Sequence, residues 1–138
     1  MRRIHLVIAV ALTLLVSQPS AYAKCPVDTL IVQGSIAESG EGPMEVAVVA
    51  HTPKGDFSGR TEASGGRFRV EVRFNTLKSW SPLLGHNCTN TPKAIDVKLS
   101  RGGQVLSEER LNFKGDFEAT DLVTYRLKRE LTLRAGSK

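Results

Sequence analysis

The sequence is poor in the residues on which most enzymes depend. It contains 2 cysteines and 3 histidines in 138 residues. Cys25 and Cys88 are too far apart for a Cys-x-x-Cys redox or zinc motif, and His51 and His86 are not spaced as metal ligands. The chain also lacks a Gly-x-Ser-x-Gly motif, which would present a nucleophilic serine. These absences predict no catalytic residues, no metal and no cofactor, and we expect that the protein is not an enzyme.

Aromatic residues are also scarce, at 6% of the chain, and they do not alternate with the basic residues. This composition argues against stacking on single-stranded nucleic acid, and we expect no nucleic-acid partner. Lysine and arginine number 19 against 14 acidic residues. Two of the basic residues precede the apolar run near the N-terminus, so the rest of the chain is only mildly basic. That excess favours an acidic protein or an anionic envelope polymer as the partner.

Long apolar runs are absent except near the N-terminus. Arg2 and Arg3 precede an apolar run over residues 4–16, and Ala21-Tyr22-Ala23 supplies a small-x-small cleavage site. These features are typical of a cleavable signal peptide over residues 1–23, and the run is too short for a good transmembrane helix. We therefore expect an exported protein, periplasmic or secreted, with one domain over residues 24–138 and no membrane span in the mature chain.

Alternation of apolar and polar residues is the main pattern of the mature chain. In residues 67–74 every second residue is apolar and the others are charged, which predicts a half-buried strand with a charged outer face. Residues 123–133 alternate similarly, with a break at Arg129, and are predicted as one strand, with a helix as the alternative. Further strands are predicted over residues 29–37, 45–51, 57–62, 95–100 and 104–113.

Glycine-rich turns separate these segments, and no convincing helix is present in the mature chain. About seven short strands with regular turns predict an all-β fold, a seven-stranded antiparallel β-sandwich. The exception is residues 75–92, a long segment that contains Trp80 and is predicted to be a loop. Long loops often carry function. The alternative is that this loop only covers one end of the sandwich.

A single disulfide is expected, because exported proteins fold where thiols oxidise. A bond between Cys25 and Cys88 would tie the start of the mature chain to the long loop. In the chain-entropy treatment it would stabilise the fold by ~4 kcal/mol. We expect reduction to lower the melting temperature by several degrees without affecting any bound metal. The alternative, a redox or metal-binding pair, conflicts with the spacing of the two cysteines.

Three segments of the chain resemble the carboxypeptidase regulatory-like and transthyretin-like (prealbumin-like) domains. They are Leu-Ile-Val-Gln-Gly-Ser-Ile at 30–36, Gly-Pro-Met-Glu-Val-Ala-Val at 42–48, and Thr-Glu-Ala-Ser-Gly-Gly-Arg-Phe-Arg-Val at 61–70. The resemblance implies a prealbumin-like sandwich that serves as a non-catalytic module or as a secreted carrier or ligand. One branch hydrolyses 5-hydroxyisourate and ends in Tyr-Arg-Gly-Ser. This chain lacks that tetrapeptide, so that reaction is not expected.

The candidate binding residues are mostly basic. Arg67, Arg69 and Arg73 lie on the outward parity of one predicted strand. If residues 123–133 belong to the same sheet, Arg126, Lys128 and Arg129 would join them in a positive stripe that suits an anionic partner. The alternative is a solvated face that protects a sheet edge, and the stripe is diluted by Glu71 and Glu130.

The long loop supplies two further candidates for binding, Trp80 and His86, and Asn87 fits the glycosylation pattern Asn-x-Thr. His51 ends an apolar strand and is interpreted as an ordinary strand-end residue. A cluster of carboxylates at 116, 118 and 121 is interpreted as a solvated loop, because its spacing matches no calcium-binding loop.

Three hypotheses for function follow. The leading one is an exported, non-enzymatic module that binds a protein or an envelope polymer through residues 75–92 or through an open strand edge. The second is an assembly accessory, such as an inhibitor or a chaperone for an exported client. The third, a transthyretin-like carrier or hydrolase, has only His51, His86 and a basic residue to use.

Overall fold

The computed structural model describes residues 25–37, 42–75 and 88–136, which form two β-sheets packed as a sandwich. The predicted signal peptide, Trp80, His86 and Asn87 lie outside the described residues. The strands are β1 (Asp28–Ala37), β2 (Glu45–Thr52), β3 (Gly55–Glu62), β4 (Arg67–Phe74), β5 (Ala94–Arg101), β6 (Gln104–Asn112), β7 (Phe117–Ala119), β8 (Thr124–Leu127) and β9 (Leu131–Arg134), and one helical turn, α1 (Phe113–Asp116), precedes β7.

The two sheets have different orders. The four-stranded sheet has the order β3-β2-β5-β6 and is antiparallel throughout. The five-stranded sheet has the order β4-β1-β8-β7, and β9 pairs with the second half of β1. Strand β1 is antiparallel to β4 but parallel to β8 and β9. The predicted β-sandwich is therefore confirmed, with parallel pairings that the sequence pattern did not reveal.

The described residues form nine strands, where the sequence predicted about seven. Residues 123–133 are two strands, because the chain leaves the ladder at residues 128–130 between β8 and β9. The Lys128 N–H donates to the Asp116 carbonyl at 2.9 Å, which holds this interruption beside α1. The second additional strand is the three-residue β7. Helix α1 was not predicted either, although the Asn112 side chain caps it by accepting from the Lys114 N–H at 3.0 Å.

The core lies between the two sheets and follows the alternation of the strands. Strand β4 buries every second residue, as predicted. Burial of each large aliphatic side chain stabilises the fold by roughly 1.5–3 kcal/mol, so these positions supply most of the driving force. The largest fully buried side chains are Phe74, Leu30, Ile95, Leu99, Val32, Val46, Val48, Val70, Val72 and Val97.

Two glycines allow the backbones of neighbouring strands to approach closely. At Gly34, where the partner of β1 changes to β9, a Cβ atom would overlap the carbonyl oxygen of Leu131. At Gly59 in β3, a Cβ atom would overlap the carbonyl oxygen of Glu71 in β4. A side chain at either position would force the backbone to move, because the overlapping atom belongs to a strand and not to a flexible side chain.

The expected disulfide is present and joins Cys25 to Cys88 across a sequence separation of 63. It fixes the residues before β1 to the segment before β5. The Asn75 side chain strengthens the same end, since its amide donates to the Pro26 carbonyl at 3.1 Å and to the Asp28 carboxylate at 3.0 Å. Burial raises the pKa of Asp28, and the bond from Asn75 opposes that change. Within the described ranges, no helix has the length and apolar character needed to cross a membrane.

Candidate functional site

The outer face of the five-stranded sheet carries a group of exposed arginines, which we call the arginine face. Strand β4 alternates buried apolar and exposed charged residues, so its arginines all point away from the core. The same alternation in β8 and β9 exposes one arginine in each strand. The members of the arginine face are Arg67, Arg69, Arg73, Arg126 and Arg134.

The arginines lie on both sides of a central strand, β1, whose outward residues are uncharged. In β1, Thr29 pairs with Arg73 on one side and with Thr124 on the other. Ser35 lies in the same way between Arg67 and Thr132. Neighbouring strands are about 4.8 Å apart, so β4 and the β8–β9 strands are separated by roughly 10 Å. The outward residues of β1 are Thr29, Ile31, Gln33, Ser35 and Ala37.

Some of the arginines already have carboxylate partners. Glu130 lies 3.0 Å from Arg67, Glu71 lies 3.0 Å from Arg69, and Glu118 lies 3.7 Å from Arg126. All of these side chains are about half exposed or more, and ion pairs of this kind contribute only ~0–1 kcal/mol. An incoming anion can therefore replace the carboxylates at little cost.

Two arginines of the face lack such partners. Within the described residues, Arg73 and Arg134 form no ion pair, and the arginines of the face outnumber the carboxylates that contact them. The face therefore retains a positive charge excess even when every observed pair is formed.

The structure brings together four of the residues that the sequence singled out, namely Arg67, Arg69, Arg73 and Arg126. Lys128 and Arg129 belong instead to the interruption between β8 and β9 and line a cavity beside β6. Arg134 was missed, because the predicted strand ended one residue earlier. Arg134 could have been found from the alternation, because it lies two residues after Thr132 and therefore points outward as Thr132 does. Trp80 and His86 lie outside the described residues.

The outer face of the four-stranded sheet has the opposite charge balance. Its outward carboxylates are more numerous than its outward basic residues. Lys98 in β5 and Glu108 in β6 form an ion pair across the two strands at 3.9 Å. The two outer faces therefore differ in sign, and an anion is attracted to only one of them. The outward carboxylates are Glu45, Asp56, Glu62, Asp96 and Glu108, and the outward basic residues are Arg60, Lys98, Arg110 and, when it is protonated, His51.

A network of charged side chains crosses all four strands of this second face. Nδ1 of His51 lies 2.9 Å from Asp56 and Nε2 lies 2.7 Å from Asp96, and the protonated ring donates to both carboxylates. Arg110 donates to both oxygens of Asp96, from Nε at 2.7 Å and from Nη2 at 2.8 Å. Asp96 is the centre of the network, and its side chain is only 11% exposed. His51 is therefore part of an ion network and not an ordinary strand-end residue.

The protonation states follow from these contacts. Hydrogen bonds to Asp96 and Asp56 favour the imidazolium and raise the pKa of His51. The fork of Arg110 holds the pKa of Asp96 far below its ordinary value, and His51 adds to that effect. Because a carboxylate accepts from each ring nitrogen, neither nitrogen of His51 is free to act as a general base in this arrangement.

We expect the stability of the protein to depend on pH through His51. A raised pKa in the folded state means that the stabilisation is fully present below the ordinary value of 6.5 and is lost as the pH rises through the folded value. The unfolding free energy should therefore decrease above neutral pH, and His51→Gln should remove this decrease. Denaturation at several pH values measures this decrease, with His86→Gln, at the other histidine of residues 24–138, as a control. An unchanged profile for His51→Gln would contradict the assignment.

No metal site accompanies these groups in the part of the chain that the structure describes. There, no three histidine, cysteine or carboxylate side chains converge in a way that could hold a metal ion. The carboxylates at 116, 118 and 121 do not form one solvated loop as predicted, because Asp116 ends α1 and is partly buried and Glu118 lies in β7. Asp121 is exposed, and the backbone N–H of Val123 donates to it at 2.8 Å, which lowers the pKa of that carboxyl.

Comparison with known proteins found no matching family model, no similar curated protein and no matching solved structure. The resemblance to transthyretin-like and carboxypeptidase regulatory-like domains therefore stays a prediction. The fold and the surface define the class of the protein as a disulfide-linked β-sandwich whose two outer faces carry opposite charge excess.

Proposed function

We propose that the protein is an exported, non-enzymatic module that binds an anionic polymer of its envelope or surroundings through the arginine face. The observation that carries the proposal is the placement of Arg67, Arg69 and Arg73 on one side of β1, whose outward residues are uncharged, and of Arg126 and Arg134 on the other side. The opposite outer face has an excess of carboxylates, so binding would be confined to one side of the sandwich.

Arginine suits this function for chemical reasons. Its guanidinium group is planar, stays charged, and can donate two parallel hydrogen bonds to a carboxylate, phosphate or sulfate group. The outward side chains of β1 are uncharged. A polymer that lies across the sheet therefore does not cover a charged side chain of β1 and remove its water. Thr29, Gln33 and Ser35 add donors and acceptors between the two rows of arginines.

Export is part of the proposal and has two supports. The predicted signal peptide directs the chain out of the cytosol. The Cys25–Cys88 disulfide is of the kind that persists in oxidising compartments and is rare in the cytosol.

The test is binding of the oxidised protein to dextran sulfate, polyphosphate and polyglutamate, which present sulfate, phosphate and carboxylate groups. We expect at least one polymer to bind and the affinity to fall with added salt, because the contacts are exposed. The double variant Arg73→Glu/Arg134→Glu should weaken binding by roughly tenfold or more, since it reverses two charges on the face.

The matched control is Arg60→Glu/Lys98→Glu, which reverses two charges on the opposite face and should leave the affinity nearly unchanged. Circular dichroism verifies that both double variants remain folded. The proposal is wrong if no polymer binds, or if the two double variants lose affinity equally.

A further inference from the structure

Two strand edges lie open on one side of the sandwich. Strand β6 pairs with β5 and with no other described strand, and β9 pairs only with β1 in the same part of the structure. The interruption between β8 and β9 leaves a cavity of about 480 Å³ between these edges. A strand edge carries a row of backbone N–H and C=O groups that can pair with another extended chain.

The floor of this cavity is apolar and its rim is charged. Leu111 and Leu127 are 7% and 9% exposed and belong to the core, and Leu131 is partly buried against them. The charged residues that line the cavity come from the interruption between β8 and β9 and from β6 and α1, namely Lys128, Arg129 and Glu130, and Glu109, Arg110 and Asp116. A segment that enters the cavity can therefore bury an apolar side chain and make ionic contacts at the same time.

Glu109 has an unusual position in β6. Its partner in β5 is Val97, which is fully buried, so Glu109 has the parity of the inner face, as has Leu111 two residues later. The charged residues beside it point outward and are paired, Glu108 with Lys98 and Arg110 with Asp96. Glu109 itself forms no ion pair with the described residues.

The sequence of β6 disfavours a second copy of the same chain as the occupant. If two β6 edges pair antiparallel about their middle, the carboxylates of Glu108 and Glu109 come close to those of the partner strand, and like charges across a pair of strands are destabilising. The bulge at Leu99/Ser100 also limits regular pairing to the second half of β6. An unlike segment with a basic residue fits this edge better.

The Asn112 N–H at the end of β6 already donates to the Asp116 carboxylate at 2.7 Å, so the open edge ends before it. We propose that residues 107–111 of β6 pair with an extended segment of a partner protein that carries a lysine or arginine opposite Glu109. An apolar side chain two residues away from that basic residue would rest on Leu111 and Leu127. The backbone pairing would supply affinity, and the match between the basic residue and Glu109 would supply specificity. Glu130 borders both surfaces, but Glu109 and the β6 edge are not part of the arginine face, so either proposal can fail without the other.

The test uses a short synthetic peptide in which threonine alternates with valine and one central valine is replaced by lysine. A second peptide has glutamate in place of the lysine, and a third carries N-methyl groups on alternate residues, which removes its pairing edge. Binding is measured by fluorescence anisotropy, and amide hydrogen exchange locates the segment that becomes protected.

We expect the lysine peptide to bind and to slow amide exchange in β6, and the N-methylated peptide not to bind. Glu109→Lys should lower the affinity for the lysine peptide by roughly tenfold and should make the glutamate peptide the better ligand. Glu108→Lys, a reversal on the outward side of the same strand, is the matched control and should change the affinity by less than about twofold.

Equal affinity for the lysine and glutamate peptides would overturn the proposal, as would protection of amides outside β6 or failure of every peptide to bind. Because Arg73→Glu/Arg134→Glu lies on another face, it should leave the peptide affinity unchanged. A loss of peptide binding in that variant would show that the peptide uses the arginine face, and this too would overturn the proposal.

Discussion

Replacing Gly34 with alanine is expected to destabilise the protein by roughly 3 kcal/mol or more, the largest effect expected here of a single added methyl group. The added Cβ would overlap the carbonyl oxygen of Leu131, which belongs to the backbone of β9. Relief requires β9 to move away from β1 and to break the pairing of residues 34–37. Urea denaturation followed by circular dichroism measures the loss.

The matched control is Gly115→Ala. A Cβ at Gly115 would contact only the Cβ of Asn112, at 4.0 Å, so there is room for it. Alanine is favoured over glycine in a helical turn by up to ~1 kcal/mol, and this variant should therefore be neutral or slightly more stable. Equal stability of the Gly34 variant and the wild type would show that β9 does not pack against β1 as described.

Loss of the Cys25–Cys88 disulfide is expected to cost about 4 kcal/mol. The bond closes a loop with a sequence separation of 63, and the chain-entropy treatment gives about this value for such a loop. For a domain of this size that cost should lower the melting temperature by roughly 10 °C or more, which is larger than the several degrees expected from the sequence alone. Thermal unfolding of Cys25→Ser/Cys88→Ser beside the oxidised wild type measures the change.

A reductant provides the internal control for this experiment. It should lower the melting temperature of the wild type to near that of the double serine variant, and it should have no further effect on the variant. If the oxidised and reduced wild-type proteins melt at the same temperature, the disulfide does not stabilise the fold, and the hydrogen bonds of Asn75 would be sufficient to hold this end of the sandwich.

Much of the fold could be predicted from the sequence, because most strands are half buried. A strand with one face in the core and one in water must alternate, so β4 was predicted with the bounds that the structure shows, Arg67–Phe74. The disulfide could be predicted as well, since only two cysteines are available to pair.

The chain after β6 was harder to predict for a physical reason. Strands β7, β8 and β9 have three or four residues each, too few for a periodic pattern to be distinguished from chance. The break in parity at Arg129 was visible, but its meaning depends on the hydrogen bond between Lys128 and Asp116, which forms only when β7 and β8 pair in the folded state. Helix α1 is a single turn, and only its cap, Asn112, marks it in the sequence.

The candidate site was partly predictable. The outward parity of Arg67, Arg69 and Arg73 follows from local alternation, but their relation to Arg126 and Arg134 depends on β1, which lies between them in the sheet. The role of His51 could not be predicted in this way, because Asp96 is 45 residues away in the chain. The two side chains are diagonal neighbours on the paired strands β2 and β5. Contacts of this kind arise from strand order, which alternation does not reveal.

The most direct test of the proposed function is an NMR titration of the ¹⁵N-labelled, oxidised protein with the anionic polymer that binds most tightly. The arginine-face proposal expects the largest amide shifts in β4, in β1 and in the β8–β9 strands, with small shifts in the four-stranded sheet. The shifts should disappear in Arg73→Glu/Arg134→Glu. Shifts concentrated around the Asp56–His51–Asp96–Arg110 network, or spread evenly over both faces, would contradict the claim that this protein binds anions through the arginine face.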